Sequence, residues 1–97
     1  MPIKVIVELK AKPGRRDELK RLLEGLLATQ GQGQQGFLGS MRYEVLGDPD
    51  TLVEIADWES VEARETHMQE AAATGAYAPL VELLVAPFRA TVISALP

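Results

Sequence analysis

The chain contains no cysteine, and it has only one histidine and one tryptophan among its 97 residues. Without cysteine it cannot form a disulfide, present a thiolate nucleophile or build a cysteine-ligated zinc or iron–sulfur site. A single histidine falls short of the three or more protein ligands that zinc or iron usually takes. The sequence also has no glycine-rich phosphate loop before a helix and no dinucleotide-binding motif. We therefore expect neither a bound metal nor another cofactor.

Clustered positive charge and long apolar runs are also missing. Ten Lys and Arg stand against fourteen Asp and Glu, and the basic residues are scattered apart from the pair Arg15-Arg16. Nucleic acids and anionic membranes need a clustered basic face, so neither is an expected partner. No apolar run reaches the roughly 18 residues of a membrane span, and charges come too early for a signal peptide. The sequence predicts a cytoplasmic protein with one domain, residues 1–97.

Hydrophobic periodicity predicts the element order β-α-β-β-α-β. Alternating or β-rich segments predict strands over 3–10, 37–46, 51–59 and 87–95. Leucines at helical spacing predict a first helix over 15–27. Ser60 is a good N-cap for a second helix, and a short further helical piece begins near Pro79. Thr29 to Gly36, rich in Gln and Gly, reads as a mobile connection. This order predicts a ferredoxin-like α+β subunit, in which a four-stranded antiparallel sheet carries its helices on one face.

The hairpin between the second and third strands determines which side chains face the helices. A two-residue tip at Asp48-Pro49 would pair Tyr43 with Glu54 and turn both, together with Met41, toward the helices. The opposite face mixes apolar and charged side chains, which suits a subunit interface better than water. We therefore expect a homodimer that uses the sheet face bearing Leu38, Arg42, Val53 and Ile55.

His67 is the first candidate for chemistry. It recurs with Ala63 and Ala71 on one face of the second helix, and these small residues leave room around the imidazole. In a partly apolar pocket an imidazole titrates near neutral pH, which suits a general base. The alternative is a packed, partly buried histidine, which is the more frequent case in helices.

Glu54 and Trp58 complete the candidate catalytic group. Buried carboxylates are rare unless paired or functional, so Glu54 either hydrogen-bonds to Tyr43 or orients His67 or a ligand hydroxyl. Trp58 is either the largest core side chain or a wall for a flat aromatic ligand. The remaining predicted lining of a substrate site consists of Phe37, Met41, Tyr43 and Met68.

Several motifs together resemble the antibiotic biosynthesis monooxygenase domain, particularly its quinol monooxygenase-like members. The resemblance extends from about Ile3 to Ile93 and rests on Pro13-Gly14, Gly36, Glu54, Trp58-Glu59-Ser60, Ala63 and His67. Two departures stand out: many members carry a second histidine shortly after the first, and many enter strand two through a "PGC"-like motif where this chain has "QGF". Haem-degrading relatives have an Asn in the first strand, which "IKVIVELK" lacks, so that activity is not expected.

The resemblance implies subunits that dimerise through their sheets into an α+β barrel and oxidise phenolic substrates with O₂, without metal or flavin. In that reading His67 generates the oxidisable substrate anion, Glu54 orients His67 or the substrate, and Trp58 stacks on the ring. The implied function is a cofactor-independent monooxygenase acting on a small aromatic quinol or polyphenol. Two alternatives stay open: a non-catalytic dimeric barrel that binds a small hydrophobic ligand, and an isomerase of a small cyclic metabolite.

Overall fold

The computed structural model describes residues 2–31 and 34–97, which contain four strands and three α-helices. The strands are β1 (Ile3–Lys10), β2 (Phe37–Val45), β3 (Asp48–Trp58) and β4 (Arg89–Ile93). The helices are α1 (Arg16–Leu26), which a π-helical turn extends over Leu27–Gly31, α2 (Val61–Thr74) and α3 (Ala78–Glu82). The predicted order β-α-β-β-α-β is confirmed. No helix within the two described ranges has the length and apolar character needed to cross a membrane.

The four strands form one antiparallel sheet in the order β2-β3-β1-β4, and the ferredoxin-like α+β fold is confirmed. One face of the two central strands is buried, and the leucines of α1 and α3 pack on it. The first core cluster joins Leu9 of β1 with Leu19, Leu23 and Leu80 of these helices. Burying such side chains contributes roughly 1.5–3 kcal/mol each, so this cluster fixes the helices on a single sheet face.

A second, smaller cluster lies at the other end of the same sheet face. Ile3 and Val5 of β1 pack against Ala56 and Trp58 of β3, and Phe37 at the start of β2 closes the cluster. A cavity remains between the two clusters, and this cavity is the candidate site.

Helix α2 begins and ends where local signals in the sequence place it. The Ser60 side-chain oxygen accepts a hydrogen bond of 3.1 Å from the backbone N–H of Ala63, as the predicted N-cap requires. Gly75 ends the helix with φ +68°, and the following N–H of Ala76 bonds back to the carbonyl of Ala71. The chain therefore turns sharply after α2 and returns along the helix toward α3.

The predicted register of the β2–β3 hairpin was wrong by one residue. Val45 pairs with Asp48, so the tip is Leu46-Gly47 and not Asp48-Pro49. Asp48 uses its carboxylate to accept hydrogen bonds from the Asp50 N–H and the Thr51 hydroxyl, and this local structure holds three extra residues of β3 in a bulge. Asp48 and Pro49 therefore belong to a bulge beside the turn, and the pairing of β2 with β3 beyond this bulge is shifted by one residue.

This shift exchanges the two faces of β2. Arg42 now lies opposite Glu54 on the helix-covered face, where its Nε is 3.6 Å from a carboxylate oxygen of Glu24 in α1. Met41 and Tyr43 instead lie on the outer face, opposite Ile55 and Val53, and both are about half exposed. The predicted dimer interface is therefore wrong at Arg42, which lies on the helix-covered face. Met41 and Tyr43, which were predicted to line a substrate site, lie on the outer face instead.

The start of β2 is fixed by close packing on α2. Gly36 has φ +87°, and a Cβ at this position would lie 2.5 Å from the Cβ of Ala63. Its carbonyl also accepts a 2.8 Å hydrogen bond from the N–H of Glu59. Of the predicted mobile connection over 29–36, residues 32–33 lie outside the described residues, and its first part is helical up to Gly31.

Candidate active site

A cavity of about 80 Å³ lies between the helix-covered sheet face and the helices. Its walls are mostly apolar, with contributions from β1, α1, β3 and α2. Four side chains with ionisable groups interrupt this apolar lining: Glu54, Arg64, His67 and Tyr77. A small apolar cavity with a few converging polar groups is the usual form of a small-molecule site.

Trp58 and His67 both line this cavity, as the strand and cap signals predicted. Trp58 ends β3 on the helix-covered face, and Ser60 starts α2 just beyond it. The indole and imidazole centroids are 5.2 Å apart, with the rings tilted by 37°. Phe37 packs edge-on against the indole at 5.1 Å. The two aromatic side chains and the imidazole thus form a continuous wall along one side of the cavity.

His67 has a hydrogen-bond partner that the sequence did not reveal. Its Nε2 lies 2.7 Å from the hydroxyl oxygen of Tyr77, which follows ten residues later. The turn at Gly75 makes this contact possible, since it brings the chain back beside α2. In the sequence, "TGAYAP" at 74–79 indicates only a break between the second helix and the short piece near Pro79. An aromatic residue just after a helix-ending glycine is the signal that was available there.

Burial keeps both members of this pair neutral at neutral pH. Burial lowers the pKa of His67; Arg64 lowers it further, while Glu70 opposes both effects. Burial also raises the pKa of Tyr77, as does the nearby carboxyl group of Glu54, with Arg64 acting in the opposite direction. A neutral imidazole with a neutral phenol at its Nε2 is a competent proton acceptor for a ligand in the cavity.

Glu54 contributes a buried carboxyl group to the cavity. Only 9% of the residue is exposed, and its Oε2 has no hydrogen-bond partner among the described residues. Burial raises the pKa of Glu54, and the charge of Arg42, which lies opposite it in the hairpin, acts against this rise. Of the two alternatives for Glu54, a hydrogen bond to Tyr43 is excluded, because that tyrosine lies on the other face of the sheet. A buried unpartnered carboxyl oxygen is costly, and a ligand group offers it a partner.

Of the other predicted lining residues, Phe37 and Met68 are in the cavity wall, whereas Met41 and Tyr43 are not. The register shift of β2 explains both misplaced residues. Within residues 2–31 and 34–97, no group of three or more His, Asp or Glu side chains is arranged to hold a metal ion. The described side chains of this site offer one imidazole, one phenol, one carboxyl group, one guanidinium and an indole wall.

Comparison with known proteins gives a family match and several similar structures. Residues 2–78 match the sequence profile of the family described as antibiotic biosynthesis monooxygenase. Rv0793 from Mycobacterium tuberculosis is 26% identical, with a TM-score of 0.80 over 100% of this chain and 97% of that one. No match was found among curated proteins.

Two further solved structures are similar in fold. A conserved protein from Methanosarcina mazei is 18% identical, with a TM-score of 0.82 over 96% of this chain and 91% of that chain. SnoaB, a cofactor-independent oxygenase from Streptomyces nogalater, is 15% identical, with a TM-score of 0.81 over 97% and 92%. At these identities the likeness is one of fold.

Proposed function

Because the chain belongs to the antibiotic biosynthesis monooxygenase family, we propose that it is a cofactor-independent monooxygenase that oxidises a small aromatic quinol or polyphenol with O₂. The observation that carries the proposal is the contact of Trp58 with His67 at the wall of a mostly apolar cavity, 5.2 Å between ring centroids. An indole wall suits a flat ring, and a neutral imidazole suits a weakly acidic hydroxyl. SnoaB, which shares the fold, is itself a cofactor-independent oxygenase.

The proposed chemistry begins with removal of a proton from the substrate. Loss of a phenolic proton to the base at His67 leaves an electron-rich anion, and that anion reduces O₂ directly. For a hydroquinone the balance is one quinol and one O₂ giving one hydroxyquinone and one water. One oxygen atom enters the ring, and the substrate supplies all the electrons. The protein supplies the base, the orientation and a cavity with restricted access to water.

Glu54 has a binding role in this proposal. Its carboxyl group, which burial holds toward the protonated form, donates a hydrogen bond to a second oxygen of the substrate. The unpartnered Oε2 supports this assignment, because a ligand oxygen would satisfy it. A ring with two oxygen substituents, one near His67 and one near Glu54, fits these two polar positions.

The size of the cavity favours a substrate with a single ring. An engineered apolar cavity of roughly 150 Å³ accommodates benzene. The present cavity measures about 80 Å³ and is partly open to solvent, so it surrounds no more than a single ring. Substrates with three or four fused rings would extend out of the cavity through its opening.

Oxygen consumption with a panel of one-ring and multi-ring quinols tests the proposed function. We expect uptake of O₂ with a one-ring quinol, a loss of about 10²–10⁴-fold in His67→Ala, and unchanged turnover in Thr66→Ala, an exposed neighbour on the same helix. Circular dichroism checks folding, because His67→Ala removes the partner of the Tyr77 hydroxyl at a cost of about 1–3 kcal/mol. Binding without O₂ uptake would instead indicate a binding protein, and product formation without O₂ an isomerase.

The same proposal includes a homodimer formed through the outer face of the sheet. All three helices pack on the opposite face, and the outer face presents apolar side chains from three strands. This outer-face patch consists of Ile6, Met41, Tyr43, Val53 and Ile55. An apolar surface that spans several strands marks an interaction site, and a second copy of this sheet would cover it with a matching surface.

A further inference from the structure

Tyr77 lines the same cavity as His67 and contacts its imidazole. Its hydroxyl oxygen is 2.7 Å from Nε2 of His67, and its side chain lines the same cavity as Glu54 and Trp58. The hydrogen bond occupies Nε2, one of the two imidazole nitrogens that can act as a base. A substrate hydroxyl that uses Nε2 therefore either breaks this hydrogen bond or reacts through it.

We propose that Tyr77 is a second catalytic residue whose hydroxyl oxygen accepts the phenolic proton of the substrate while its own proton passes to Nε2 of His67. This inference rests on the proposed function, since it specifies how the substrate anion forms. The substrate O–H bond breaks as a new O–H bond forms on Tyr77. The former Tyr77 O–H bond breaks as an N–H bond forms on His67. No electrons are transferred to another group, and the products are the substrate anion and an imidazolium.

The 2.7 Å geometry of the pair allows this transfer, and because burial lowers the pKa of His67 the transfer depends on stabilisation of the resulting imidazolium. In the proposed relay the neutral phenol donates its hydrogen to Nε2 of the neutral imidazole, so that the proton of His67 is on Nδ1. The phenol oxygen, on a side chain that lines the cavity, retains lone-pair capacity to accept a hydrogen from a ligand. The imidazolium that results lies 5.2 Å from the indole centroid of Trp58, within the roughly 6 Å over which an aromatic ring stabilises a cation.

The hydrogen bond itself is tested by the imidazole nitrogen signals in nuclear magnetic resonance. The chain has a single histidine, so these signals need no assignment among several side chains. We expect the Nδ1–H tautomer in the wild type and a shift of the tautomer balance toward Nε2–H in Tyr77→Phe. Tyr43→Phe, on the outer sheet face, is the matched control and should leave the signals unchanged. A wild-type Nε2–H tautomer would overturn the proposed relay.

The proton transfer is tested with para-nitrophenol, whose anion absorbs visible light and which O₂ does not readily oxidise. Below the pKa of the free phenol, we expect the wild type and Tyr43→Phe to bind it as the coloured anion, with His67 becoming an imidazolium. Tyr77→Phe should bind less of the coloured anion, because the anion loses the hydrogen bond that the Tyr77 hydroxyl donates to it after the transfer, and its turnover of a quinol should fall by about 10²-fold. Equal formation of anion in Tyr77→Phe, or failure of the wild type to form it, would overturn the relay.

These measurements separate the relay from the proposed function. Ionisation of para-nitrophenol needs no O₂, so it can occur in a protein that proves to be only a binder. Conversely, if Tyr77→Phe oxidises the quinol as fast as the wild type does, the proposed monooxygenase function stands and the proposed relay is wrong.

Discussion

The carboxyl group of Glu54 is buried beside the cavity, and its protonation links the site to stability. Its ordinary pKa is 4.5, and burial raises the pKa in the folded chain. Below about pH 4 both the folded and the unfolded chain hold this proton. As the pH rises above 4.5, the unfolded chain releases the proton before the folded chain does, so the free energy of unfolding falls until the raised pKa is passed.

Glu54→Gln should therefore stabilise the protein more at about pH 7 than at about pH 4, because the amide never ionises. Thermal unfolding at the two pH values measures the difference. Glu65→Gln, which makes the same change at an exposed position of α2, is the control and should show little dependence on pH. An equal effect of the two variants at both pH values would contradict the assignment of a buried, proton-retaining carboxyl group.

Trp58 both packs in the hydrophobic core and lines the candidate site. It is only 5% exposed, and it contacts both Phe37 and His67. Trp58→Ala should lower the free energy of unfolding by about 3–5 kcal/mol and also reduce quinol turnover, whereas Trp58→Phe should retain more of both. Urea unfolding measured beside oxygen uptake tests this. If Trp58→Ala left stability intact, the indole would not be part of the core cluster.

At the level of elements, the contact between the start of β2 and α2 depends on two small residues. Gly36→Ala should destabilise the protein by more than about 2 kcal/mol, because an L side chain at φ +87° costs roughly 1–2 kcal/mol and its Cβ overlaps that of Ala63. In Gly36→Ala combined with Ala63→Gly, the overlap is relieved, and what remains is the backbone cost at position 36 plus about 0.5–1 kcal/mol for a glycine within α2, which Ala63→Gly alone measures. Urea unfolding of the single and double variants separates the two contributions.

Gly25→Ala is the matched control for that substitution. Gly25 lies within α1, and a Cβ added there would have no described atom from outside its own helix within 4 Å. The change should stabilise the protein by about 0.5–1 kcal/mol, since alanine favours the helix over the unfolded chain. Opposite signs at the two glycines would confirm that local conformation, and not glycine content, determines the effect.

Elements with strong local signals were predictable from the sequence. Alternation placed Glu54 and Trp58 on the inner face of β3, and the Ser60 cap placed His67 on the inner face of α2. These signals depend on neighbouring residues only. The cavity wall formed by Trp58 and His67 therefore followed from short-range patterns.

Elements whose geometry depends on distant contacts were not predictable in the same way. The bulge held by Asp48 shifted β2 by one residue, which turned Met41 and Tyr43 outward and Arg42 inward. Alternation within β2 cannot reveal this, because it is equally regular in either register. Tyr77 was missed for a related reason: its partner His67 is reached only after the chain reverses at Gly75.

At the scale of the whole molecule, helices cover one face of the sheet and leave the other open. We predict that a second copy of the chain covers the open face in a homodimer. Ile55→Glu places a charge within the outer-face patch, opposite Met41. We expect light scattering to show a dimer for the wild type and a monomer of 10.6 kDa for this variant. Leu46→Glu, at the exposed hairpin tip, is the control and should remain dimeric. A wild-type monomer at micromolar concentration would end the barrel proposal.

The single tryptophan has an optical consequence. All indole emission of the protein comes from Trp58, whose ring is 5.2 Å from the imidazole of His67. A protonated imidazole quenches a neighbouring excited indole, and a quinone-like ring stacked on the indole quenches it too. Emission intensity should therefore drop as His67 gains a proton, below pH 6.5 because burial lowers its pKa, and should drop again when a ligand fills the cavity. The occupancy and protonation of the site can then be followed in unlabelled protein with a fluorimeter.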